Sequence, residues 1–190
     1  MGNYPDSIPI SLLQRFGLFL ARSCISAWVG AASLFVVVGI IEVTQGGFDS
    51  ATKDSLVVLR FPAYYVFGVA LVSTGWIGTC LAGSSSEFSG KYRIGVIAVL
   101  SLVLACMIVD YIWIYLPLAQ MVTPPGQSKP AIFVQYHQAS KWINLVGLKL
   151  CLIAIGLLNW PAYAVRRDLL AKSSANSNTD ADSDPIKTSD

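Results

Sequence analysis

The sequence predicts an all-α protein, an integral membrane bundle of four transmembrane helices followed by a disordered C-terminal tail. Three observations carry this. Apolar residues make up 54% and charged residues 13% of the chain, against roughly a quarter charged in soluble domains. The mean hydropathy is +0.59. The polar residues sit in short clusters between long apolar runs rather than being spread out to coat a surface.

A bilayer core of roughly 30 Å needs about 20 mainly apolar residues as helix. Four runs meet that length, over residues 23–43, 55–82, 94–118 and 139–163. The segments between them are rich in turn formers: Gly46-Gly47-Phe48-Asp49, Gly83-Ser84-Ser85-Ser86 and Thr123-Pro124-Pro125-Gly126. The fourth run closes on Asn159-Trp160-Pro161, where the proline is expected to limit the helix. The first run begins late, is too long for a signal-peptide core and lacks a small-residue cleavage site, so it reads as a retained anchor. Residues 1–14 are polar, then mixed, and read as an interfacial segment ahead of the transmembrane domain at 15–163. Residues 164–190 read as a basic juxtamembrane turn and then a tail of Ser, Asn and Asp with little to bury, expected to be disordered.

Lys and Arg near span ends set orientation. One side collects Arg15, Arg22, Lys91, Arg93, Arg166, Arg167 and Lys172; the other has Lys53, Arg60, Lys129 and Lys141. An even number of spans keeps both termini together, and the richer side is the cytoplasm by this rule. The expected location is a bacterial inner membrane with both termini cytoplasmic. Tyr64, Tyr65, Tyr111, Trp113, Tyr115 and Trp142 then fall toward the outer interface, and Trp76, Tyr92, Trp160 and Tyr163 toward the inner, as two aromatic belts.

Cys24, Cys80, Cys106 and Cys151 all lie in apolar runs and form no CxxC pair. They read as small fillers of helix contacts. Helix association in lipid depends on close packing at small residues, and Ala27 with Ala31, Gly75 with Thr79 and Gly147 with Cys151 have the required spacing.

Ionisable residues within spans are costly and default to functional candidates. Glu42, Arg60, Asp110, His137, Lys141 and Lys149 all fall between the expected outer interface and the midplane, while the inner half has only Arg22. On the fourth span His137 and Asn144 are seven apart, about 20° off one line, with Lys141 about 40° from His137 and Ser140 beside them. The expected polar pocket therefore comprises Arg60, Asp110, His137, Lys141, Asn144 and Lys149. Asp110 is expected to pair with Arg60 first and Lys149 second, because a lone intramembrane carboxylate is expensive. The competing reading makes Asp110 and Arg60 a structural clamp, and Glu42 and Lys141 interfacial groups that reach water.

The sequence carries no HExxH, nucleophile elbow, Gly-rich phosphate loop or second histidine. No cofactor and no metal site is expected. A net charge of +2, dispersed, gives no nucleic-acid surface. The expected partners are the lipid bilayer and, beyond it, the chain itself or another membrane protein.

Arg60-Phe61-Pro62-Ala63-Tyr64-Tyr65 and His137-x-x-Ser140-x-x-x-Asn144 resemble a family of small four-helix integral membrane proteins. It includes bacterial members of unknown function and the eukaryotic transmembrane protein linked with cisplatin resistance. The likeness covers roughly residues 15–163 and implies a four-helix membrane domain without established enzymatic activity. The chain is also distantly similar to copper-resistance multispan proteins and haem-pathway membrane oxidases, which use more histidines than the one present here. The first expectation for function is a small multispan protein whose outer-half pocket binds or passes a small solute or ion. The second is a non-catalytic scaffold or assembly subunit with the charges as a clamp. The third is a haem or redox protein that depends on His137.

Overall fold

The computed structural model describes residues 12–83 and 90–181, with side chains described as far as Trp160. Four helices account for almost all of it: α1 (Leu12–Thr44), α2 (Ser50–Leu81), α3 (Gly90–Met121) and α4 (Phe133–Ala181). Each contains a stretch long and apolar enough to cross a membrane. They run alternately up and down, and each packs on the next in order, with α4 closing the ring against α1. We call the end that holds the α1–α2 and α3–α4 connections the turn end, and the opposite one the terminus end.

Burial is arranged for lipid rather than water. Leu34, Ile40, Phe67, Ile94, Leu102 and Leu152 are exposed, while Asp54, Thr79, Asp110 and Ser140 are buried. A soluble monomer rarely exposes so continuous an apolar surface. Trp142 and Trp160, both exposed, lie eighteen residues apart on α4, about 27 Å along its axis. That matches the thickness of a hydrocarbon core, with amphipathic rings at both edges.

The helices are longer than the apolar runs from which they were expected. α1 starts at Leu12 rather than near residue 23, and α4 starts at Phe133 rather than near 139. Polar residues flanking a span continue its helix into the interface, where the backbone still gains from internal hydrogen bonds. α4 also continues across Pro161 to Ala181, although the helix was expected to close there. Proline withholds one N–H from the ladder, and here the ladder resumes beyond it. The first part of the expected disordered tail, residues 173–181, therefore has helical backbone. Residues 1–11, 84–89 and 182–190, which hold most of the interfacial N-terminal segment, the Ser84-Ser85-Ser86 turn and the tail's end, lie outside the described residues.

Near the terminus end α1 and α2 approach backbone to backbone. A Cβ built on Gly78 would lie 2.7 Å from Gly17 O, and one built on Gly75 would lie 2.6 Å from Ile25 Cδ1. The small-residue seam is thus Gly17, Ala21, Gly75 and Gly78. Of the expected pairs, Gly75 and Thr79 are buried in α2, whereas Ala27 is exposed and Gly147 has nothing near its Cβ position. Arg22 Nε and Nη2 cross to Leu158 O at 3.1 and 2.8 Å and tie α1 to α4.

The turn end is closed by polar groups. Asp54, buried on α2, accepts from Lys129 Nζ at 2.7 Å and from Gly126 N at 3.1 Å, which anchors the α3–α4 connection. Gly126 has φ +83°, a conformation that glycine adopts without strain.

Candidate functional site

Two prolines shape the middle of the bundle. Pro62 in α2 has no N–H for Val58 O, and the Tyr115 hydroxyl lies 3.5 Å from that carbonyl. Pro117 follows a π-helical segment, Asp110–Tyr115, in α3. A proline ring crowds the carbonyl four residues back, and a widened π turn upstream relieves it; such turns recur at functional sites. This one turns Asp110 and Tyr115 into the bundle, where both are buried.

Asp110 is 1% exposed and is the hub of a hydrogen-bonded node. Its Oδ2 accepts from the Tyr65 hydroxyl at 2.6 Å, from Asn144 Nδ2 at 2.6 Å and, more distantly, from Ser140 Oγ at 3.3 Å. Asn144 Nδ2 also donates to Ser140 O at 2.9 Å, and Asn144 Oδ1 accepts from the Tyr64 hydroxyl at 3.1 Å. Three helices, α2, α3 and α4, therefore meet through one carboxylate. Its other oxygen, Oδ1, is buried and has no hydrogen-bond partner. Asp110 also lines a cavity of about 20 Å³, together with Trp28, Tyr64, Cys106, Asn144 and Gly147. That is room for about one water-sized guest.

The expected ion pairs of Asp110 are not formed. Arg60 pairs with Glu42 across α1 and α2, and its guanidinium lies 5.0 Å from the centre of the Phe35 ring. Among the described residues no basic side chain pairs with Asp110. Depth along a sequence does not give direction around a helix, and Arg60 points to the α1 side. Lys149 is exposed on α4, with Leu145, Val146, Leu152 and Ile153, its neighbours three and four residues away, exposed around it. Lys141 is also exposed, and so is His137, whose ring stacks on Phe133 at 5.8 Å.

Of the six expected pocket residues, the structure brings Asp110 and Asn144 into contact. It sets Arg60 one turn of α2 away from Tyr64, and it leaves His137, Lys141 and Lys149 on the outside. Tyr64 and Tyr65 were assigned to an aromatic belt; they face inward instead. Tyr65 is 4% exposed, and the ring centres of Tyr65 and Tyr111 are 5.1 Å apart in a column that includes Phe61, Tyr64 and Tyr115. The signal for them was the tyrosine pair that follows Pro62-Ala63, in the span that also carries Arg60.

The four cysteines are free thiols, with Cys151 buried. Among the described residues no three His, Cys, Asp or Glu side chains converge as a metal cluster would require. Comparison of the chain with protein-family models, with curated proteins and with solved structures gave no match. The chain is a four-helix bundle whose helices are long and apolar enough to span a membrane.

Proposed function

We propose that this is a small multispan membrane protein whose Asp110 node binds a single small monovalent cation, a proton or an ion of the size of Na⁺. The observation that carries this reading is the buried Asp110, whose Oδ1 has no hydrogen-bond partner and which lines a cavity of about 20 Å³. A buried carboxylate is stable when its charge is balanced. Here hydrogen-bond donors surround one oxygen, and the other is left for the counter-charge. The cavity's size argues against a larger solute. In this reading both termini are cytoplasmic in a bacterial inner membrane, and the node lies in the outer half of the bundle. The resemblance to the small four-helix family fits such a protein, since it implies no catalytic step. His137, exposed at the start of α4, offers nothing toward the haem reading.

The test is thermal unfolding of the purified protein in detergent, with NaCl, LiCl, KCl or choline chloride at one ionic strength. A ligand that binds only the folded state stabilises by RT ln(1 + [L]/Kd). At saturating concentrations that shifts the midpoint by several degrees for a chain of this size. The wild type should gain stability with one of the small cations, or carry protons across liposomes under a pH gradient, and Asp110→Asn should do neither. Wild-type behaviour indistinguishable from choline, with no proton flux, would reject the cation site.

That outcome would favour the second reading, a scaffold in which the node is purely a clamp. The hydrogen bonds that join α2, α3 and α4 at Asp110 support it. Orientation is checked separately: a cysteine at Ser128, in a background without native thiols, should react with an impermeant reagent from outside intact cells.

A further inference from the structure

We propose that the outward face of α4 around Lys149 is a docking surface for a transmembrane helix of another protein, one that carries a carboxylate at matching depth. The inference does not depend on the cation reading of Asp110, because Asp110 is buried inside the bundle and Lys149 is exposed on its outside.

Lys149 sits at the centre of the lipid-facing stripe of α4. Leu145 and Val146 on one side of it are 40% and 47% exposed, and Leu152 and Ile153 on the other are each 52% exposed. Trp142 and Trp160 bracket this face at 65% and 60% exposure. Lys149 lies about 10 Å from the level of Trp142 and about 16 Å from that of Trp160, close to the midplane between the two belts. A lysine at such a position is costly, and lysines within spans normally face the bundle interior or pair with another group. This one does neither: among the described residues no acidic side chain pairs with it.

Chemistry selects the occupant. The acidic side chains in the four spans are already engaged: Glu42 with Arg60, Asp54 with Lys129, and Asp110 in its buried node. A second copy therefore has no free carboxylate to offer in its described spans. A symmetric dimer through this face would set Lys149 against Lys149, since a two-fold interface pairs a patch with itself. Snorkelling alone leaves the amine several Å short of the nearer belt, because the side chain leans toward the helix N-terminus and spans only part of the distance. Around it the face is otherwise suited to a helix. Gly156 is exposed and has nothing within 4 Å of its Cβ position, so a neighbouring backbone can come close there.

The test uses the full-length protein in phosphatidylcholine vesicles, with a donor dye on the protein. The probes are synthetic 24-residue Leu/Ala helices carrying an acceptor dye and either one central Asp or none. Energy transfer should report association of the Asp helix about threefold or more above that of the Asp-free helix. Lys149→Met should bring the two probes level without lowering the protein's own unfolding midpoint, since the side chain is exposed and holds no hydrogen bond or ion pair among the described residues. Lys149→Glu should transfer the preference to a helix with a central Lys. Equal transfer from both probes to the wild type would overturn the proposal, and so would a preference that survives Lys149→Met. Transfer between donor- and acceptor-labelled copies of the chain that Lys149→Met abolishes would also overturn it, because the partner would then be the chain itself.

Discussion

The two halves of the bundle are held together by different means. Toward the terminus end, α1 and α2 touch along Gly17, Ala21, Gly75 and Gly78, and the buried side chains nearby are Ile25, Val72, Val96, Leu100 and Leu158. Toward the turn end the contacts are aromatic and polar: Phe35, Phe61, Tyr64, Tyr65, Asp110 and Asn144. Within lipid an apolar side chain gains little by leaving one apolar neighbour for another, so association rests on close contact and on hydrogen bonds. The first half uses close contact. The second uses hydrogen bonds, whose groups can also hold a ligand. A seam of backbone atoms has no chemistry to offer, and it frees the other half to carry a buried carboxylate.

If that division is right, the seam should be the less forgiving half. The Cβ of Gly78→Ala would already fall 2.7 Å from Gly17 O and 2.9 Å from Ala21 N, both backbone atoms that cannot swing aside. Overpacking of this kind costs about 1–3 kcal/mol, and Gly78→Leu should exceed that range because the two helices must part. The check is unfolding by denaturing detergent in mixed micelles. Gly147→Ala is the control, since a Cβ there meets nothing within 4 Å, and it should be near neutral. A Gly78→Leu variant as stable as that control would break the comparison.

The polar half should discriminate between isosteres. Asp110→Leu removes the acceptor for Tyr65 and Asn144 and strands both donors, at about 1–3 kcal/mol for a buried unsatisfied group. Asp110→Asn keeps an oxygen there and should lose well under half as much in the same unfolding assay. Equal losses would mean that hydrogen bonding contributes nothing at the node, and that the site merely needs its volume filled.

The four spans were legible because membrane helices announce themselves by length and apolarity. Their ends were not, since polar residues such as Lys53 and His137 continue a helix as readily as they end a hydropathy run. At the site, spacing grouped Ser140 and Asn144 with His137 and Lys141 on one stripe of α4; the first two meet Asp110, and the other two stay exposed. The partners on α2 did not follow. Tyr64 and Tyr65 looked like belt residues because tyrosine is common at interfaces, and periodicity assigns no azimuth to one helix relative to another. The π segment at Asp110–Tyr115 moved the register again. Lys149 was a different case. Five residues from Asn144 turn about 140° around a helix, so its separation from that stripe follows from spacing alone.

The smallest expected effect lies outside both halves, at the first turn of α2. Asp49 caps this helix: its Oδ1 accepts from Thr52 N at 2.7 Å. Hydrogen bonds from Thr52, side chain and backbone, hold the Asp49 carboxyl below its usual range. A carboxyl depressed by folding stabilises the folded state at pH values above its unfolded pKa, about 3.9, and that contribution is lost as pH falls through the folded value. The cap is exposed, so its loss should fray one turn and leave both halves of the bundle intact. Hydrogen exchange at the Thr52 amide, corrected for its intrinsic rate, should show protection that is constant from pH 7 to about 4.5 and declines below about 4. Asn also caps helices and does not titrate, so Asp49→Asn should keep the protection and remove its pH dependence. A decline of the same size in Asp49→Asn would reject the Asp49 cap as the source of the pH dependence.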